Sequence, residues 1–143
     1  MIDQIIKLAK DKLGPDLQQK EQLNSQQVDK TMEVAGESFS GGLKSMASSG
    51  NVNQLLNLFN GKEDAAGKQS FTDSIIKKFV PSIGSKLGID ESKAQSIANS
   101  VVPFLVEKFS SEGGQAKDSG DLLQKLGIGG VGSITEKVGG FFK

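Results

Sequence analysis

The sequence predicts an all-α fold: a multihelical single domain made of two similar helical halves. Three observations predict it. Apolar residues recur at steps of three and four along most of the chain, clusters of glycine punctuate those stretches, and the apolar pattern repeats at an offset of about 66 residues. We find no alternating apolar–polar run and no hairpin signal, so strands are not expected.

The first stripe is Ile2, Ile5, Ile6, Ala9 and Leu13, followed by Gly14-Pro15, which reads as a break. The second is Val28, Met32, Ala35, Phe39 and Leu43, ending ahead of Gly50-Asn51. A short Leu55-Leu56 segment reaching Phe59 follows, then the string GKEDAAG over 61–67. Ile75, Ile76, Phe79, Val80 and Ile83 make the next stripe. The clearest one is Ala94, Ile97, Ala98, Val101, Val102, Leu105 and Phe109, which line one face of a long helix while Lys93, Gln95, Asn99 and Ser100 take the other. Beyond GGQAKDSG over 113–120, a Leu122-Leu123 pair leads to a glycine string that starts at Gly127.

Shifted by that offset, Leu13 meets Phe79, Pro15 meets Pro81 and Leu17 meets Ile83. Val28 then meets Ala94, Met32 meets Ala98, Ala35 meets Val101, Phe39 meets Leu105 and Leu43 meets Phe109. One inserted residue later, Leu55-Leu56 meets Leu122-Leu123. The start of each long helix repeats in kind. Asn24 and Asp90 are N-cap residues, and Leu23 and Ile89 before them are placed to pack on Val28 and Ala94 as hydrophobic staples. Pro103 in the second copy, and Gly36 one position from its equivalent in the first, predict a kink or break in both long helices. The domain reading is therefore 1–130 as one helical domain, with repeat halves at about 4–69 and 70–130, followed by a glycine-tethered amphipathic segment over 131–143.

The run SIGSKLGIDESKAQSIANSVVPFLVEKF, from Ser82, with DLLQKLG after it, resembles the YidB-like family of bacterial helical proteins of unknown function. The shared features are a KLG, a short acidic cap, an Ala-rich stripe, a mid-helix proline and a later Leu-Leu pair. The resemblance spans Ser82 to Gly127 and, more faintly, Leu17 to Phe59. It implies an all-helical fold and a bacterial origin. It supplies no catalytic or binding motif.

Composition narrows the chemistry. Cys, His, Trp and Tyr are absent and Phe is the only aromatic. Thiolate nucleophiles, thiolate metal sites and imidazole acid–base catalysis are thereby closed, so neither a metal nor a cofactor is expected. All 17 basic residues are lysine, which removes the bidentate guanidinium clamps used on phosphate and guanine. They are balanced by 17 acids, spread evenly along the chain, so no basic face for nucleic acid emerges. The longest uncharged apolar run, Val101 to Val106, contains a proline and is far short of the roughly 20 residues a membrane-spanning helix needs. Asp3 and Lys7 interrupt the apolar stretch a signal peptide requires, and a cytoplasmic location is expected.

Three strings carry a nominal chemical motif. GIGGVG, from Gly127, spells the dinucleotide fingerprint, but a helical stretch precedes it and no second strand or ribose-binding acid follows, so it reads as a linker. Ser74 and Lys77 have the S-x-x-K spacing that puts a hydroxyl one turn from a lysine base. The companion motifs are missing, and Lys77 reads as the solvated side of an amphipathic helix. Glu63-Asp64, Asp90-Glu91, and Asp118 with Asp121 lack the alternation of a calcium loop; Asp90 reads as a cap and the others as loop solvation.

No enzyme is expected. The residues that remain for function are apolar: Phe39, Met46, Phe104 and Phe109, which would line a cleft between the halves, and Phe141 and Phe142 on the tail. The tail places Ile134, Val138, Phe141 and Phe142 on one helical face. It is expected to cover the protein's own core, with docking on a partner as the next reading and membrane contact as the weakest. The sequence thus predicts a non-catalytic protein that associates with itself or with an unidentified protein. The alternatives are carriage of a small apolar ligand between the halves, or peripheral membrane association through the tail.

Overall fold

The computed structural model describes residues 2–112 and 119–126. Among them the chain is all-α: α1 (Ile2–Lys20), α2 (Ser25–Ser48), α3 (Val52–Phe59), α4 (Ala65–Leu87), α5 (Glu91–Glu112) and α6 (Ser119–Leu126), with no strand.

The helix boundaries follow from local chemistry. After α1, the amides of Glu21 and Leu23 both donate to the carbonyl of Leu17, at 3.1 and 3.3 Å, which closes the turn through Gln22 at a φ of 58°. Asn24 then starts α2 with a full capping box: its Oδ1 accepts from the Gln27 amide at 2.8 Å, and its own amide donates to Gln27 Oε1 at 2.9 Å. Gly88 ends α4 in the left-handed region at a φ of 66°, where a side chain would be strained. Two residues on, Asp90 accepts from the Lys93 amide at 2.8 Å and starts α5. Both predicted caps are present. Asp64 is a third, accepting from the Gly67 amide at 2.8 Å, so it starts α4 and is not loop solvation. Ala65 to Gly67 are therefore already helical, and the turn between α3 and α4 lies at Asn60–Asp64, ahead of the division at 69/70 set by the offset.

None of the predicted breaks, at Gly14-Pro15, Gly36 and Pro103, interrupts its helix. α1 runs through Gly14-Pro15, and α5 runs through Pro103 without a break, as α4 does through Pro81. The reason is placement. A proline leaves unbonded the carbonyl four residues before it, here those of Asp11, Lys77 and Asn99. All three of those residues and all three prolines are exposed, so the lost bond lies on the solvent side of each helix, where water can replace it. α2 likewise continues through Gly36, where an added Cβ would meet Ile6 of α1 at 3.6 Å, ordinary contact.

The four long helices pack as a bundle in which α1 and α4 each lie against both α2 and α5. α3 closes one end, touching α2, α5 and α6. The core takes the predicted stripes: Val28, Met32, Ala35, Phe39 and Leu43 of α2 and all seven stripe residues of α5 are buried, as are Ile5 and Ala9 of α1 and Ile75, Phe79 and Ile83 of α4. Ile2, Ile6, Leu13 and Ile76 flank it half-buried.

Candidate functional site

Of the apolar residues that the sequence singles out, Phe39 and Phe109 come together at the centre of the bundle. Each is held by a helix whose stripe leaves it no other direction to face, and both are fully buried. Their ring centroids are 5.4 Å apart at 75°, an edge-to-face contact in which a ring edge meets the negative face of its neighbour. Two further rings extend the pair. Phe71 of α4 meets Phe39 at 5.9 Å and 69°, and Phe59 of α3 meets Phe109 at 5.3 Å and 65°. The resulting ladder, Phe71–Phe39–Phe109–Phe59, alternates between the second three helices and the first three at every step. Phe71 is the one member of the ladder outside the predicted stripes and segments. Its signal was its position four residues before Ile75 and eight before Phe79, which continues the α4 stripe upstream.

Met46 and Phe104 stand apart from the ladder. Both are half-buried at the margin of the core, and the Lys108 ammonium lies 5.6 Å from the centroid of the Phe104 ring, a cation–π distance. Phe141 and Phe142, with the rest of the 131–143 segment and the GIGGVG string, lie outside the described residues.

The polar candidates resolve into structural roles. Ser74 donates to the Phe71 carbonyl of its own helix at 2.8 Å, while Lys77 stands exposed beside it in an open polar depression on the outer face of α4. Thr31 and Thr72, both buried, donate to the carbonyls of Gln27 and Lys68, at 2.8 and 2.7 Å. Ser110, buried at the end of α5, has a hydroxyl without a hydrogen-bond partner. Among the described residues no three metal-ligating side chains converge, no large apolar side chain is exposed, no charged side chain is buried, and no helix is long and apolar enough to cross a membrane.

Charge is spent on the surface, where it ties helices together. Lys10 of α1 meets Asp29 of α2 at 2.6 Å, Lys68 of α4 meets Glu107 of α5 at 3.5 Å, and Lys86 of α4 lies 3.8 and 4.0 Å from Glu33 and Glu37 of α2. The hydrogen bond to Asp29, followed by that carboxylate's charge, raises the Lys10 ammonium above its ordinary pKa. Ser96 of α5 donates to Glu21 at 2.7 Å, joining the α1–α2 turn to the other half.

In comparisons with known proteins the chain matches no family model, no curated protein and no solved structure.

Proposed function

We propose that this chain is a non-catalytic helical protein that acts by associating with itself or with another protein. The observation that carries the reading is the division of its polar groups. The buried hydroxyls of Thr31 and Thr72 are satisfied by their own helices, and among the described residues the ionisable side chains lie outside the core, some of them in cross-helix pairs. With Cys and His absent from the sequence, that leaves helix faces as the surfaces through which the chain can act. A ligand between Phe39 and Phe109 would have to part rings that already touch, which favours association over carriage.

The same proposal includes a cytoplasmic, bacterial protein related to the YidB-like family, on the residues from Ser82 to Gly127, and descent of its halves from one three-helix unit. Supporting that descent, helix lengths run 19, 24 and 8 residues in the first half and 23, 22 and 8 in the second. The starts of α2 and α5, Ser25 and Glu91, also fall at the offset of the sequence pattern.

Light scattering coupled to size exclusion, over a wide range of protein concentration, together with reciprocal co-purification from a bacterial lysate, tests the reading. A concentration-dependent oligomer or a reproducible stoichiometric partner is expected. A strict monomer with no partner would contradict it.

A further inference from the structure

Self-association needs a surface, and the described exterior offers no large exposed apolar side chain to build one. The extensive apolar surface with a matching counterpart is the one inside the molecule, where the first three helices meet the last three. It is complementary to the other half of any copy of this chain. We infer that the chain self-associates by exchanging its three-helix halves with a second copy across the turn Asn60–Asp64. The inference rests on the self-association proposed above and specifies its interface.

The interior favours exchange over separate halves. Each ring contact of the Phe71–Phe39–Phe109–Phe59 ladder crosses from one half to the other, as do the packing of α1 on α5 and of α4 on α2. A half detached from its partner therefore exposes a core face that another copy's half covers with the same contacts. An exchanged dimer loses none of them; only the connecting turn differs.

That turn is closed by local backbone bonds. Gly61 donates to the Leu58 carbonyl at 3.1 Å, and Lys62 and Glu63 both donate to the Asn57 carbonyl, at 2.7 and 3.2 Å. Its closed form depends on Gly61, which has a φ of 73° and whose added Cβ would sit 3.1 Å from the Ser110 carbonyl oxygen. A side chain at this position strains the closed turn both through its backbone and against α5, and opening the turn relieves both strains.

Gly61→Val in the full chain, refolded alongside the unmodified protein, is the first test. Strain of this kind shifts each turn by roughly tenfold, so with two turns opened per dimer the association constant should rise on the order of a hundredfold. Unchanged association, with the variant folded, would overturn the inference.

A second test does not depend on the turn. Phe39→Asp and Phe109→Asp each place a charge in the core and should prevent folding alone. Refolded together they can exchange, giving dimers with one intact composite core and one carrying both faults, and so recovering about half of the wild-type helical signal. A mixture no more helical than its two components would overturn the exchange, even if the unmodified protein self-associates. Association that is abolished by deleting Gly132 to Lys143 would also overturn it, by placing the interface on the tail. An unmodified chain that stays monomeric at every concentration would overturn exchange as a property of this chain, even if the mixed variants recover, and would leave the proposed function standing only on a partner of another kind.

Discussion

The seam between the two halves and the seam within the first half are built to different tolerances. Where α2 meets α4, across the halves, a side chain on Gly42 would need Ile75 to move: an added Cβ would collide with Cδ1 of Ile75, which is itself fully buried, and would also meet the Phe71 ring at 3.7 Å. Where α1 meets α2, within the first half, an added Cβ on Gly14 would meet Val28 at 3.8 Å, and one on Gly36 would meet Ile6 at 3.6 Å. Both are ordinary contacts. The ring ladder lies on the tighter seam as well. The first three helices and the last three thus share one closely packed core among the described residues.

Substitutions on the two seams should differ in cost. The largest effect is expected at Phe109, whose ring bridges Phe39 and Phe59 of the other half. Phe109→Ala should cost about 3–5 kcal/mol in denaturant unfolding followed by circular dichroism. A neutral result would mean that the ladder adds nothing to the seam.

Next come the glycines, where the two seams should differ in sign. Gly42→Ala should destabilise by about 1–3 kcal/mol through overpacking, despite alanine's better helix propensity. Gly14→Ala, which meets only ordinary contact, should be neutral or stabilising by up to about 1 kcal/mol. If the two variants behave alike, the tolerances are not different.

A smaller cost, about 1 kcal/mol, is expected for Asn24→Ala, which removes the capping box at the start of α2 and touches neither seam. Thermal unfolding measures it.

The smallest effect belongs to the exposed Lys10–Asp29 pair on the seam within the first half. Because Asp29 raises the folded-state pKa of Lys10, the bond contributes fully below the ordinary value of 10.5 and is lost as pH rises through the raised value. Lys10→Met should therefore flatten the fall in stability in that alkaline window and leave its shape at lower pH unchanged. An identical alkaline slope in both proteins would remove the pair from the account.

Much of this was legible in the sequence because it is local or periodic. The α5 stripe from Ala94 to Phe109 is buried at every member, since spacing alone sets which face of an amphipathic helix turns inward. Asn24 and Asp90 act as caps because their chemistry needs only the next three residues. Prolines misled for a physical reason. Pro15 reads as a break and Pro103 as a kink or break, yet both prolines lie on the exposed side of their helices, which continue through them. Gly42 was not legible, because nothing in its own helix reveals that Ile75 will press on it from α4. The same holds for the site. Phe39 and Phe109 could be nominated from their helical faces, but their edge-to-face contact, and the insertion of Phe71 and Phe59 on either side, depend on how the helices cross.

The central claim is that the two halves share one core, and the pair Phe39 and Phe109, one from each half and 5.4 Å apart, tests it most directly. A double-mutant cycle with Phe39→Ala, Phe109→Ala and the double variant, read from denaturant unfolding, should give a coupling of about 0.5–3 kcal/mol. Effects that simply add, to within about 0.3–0.5 kcal/mol, would show that the halves are not coupled through this pair and would contradict a shared core built on it.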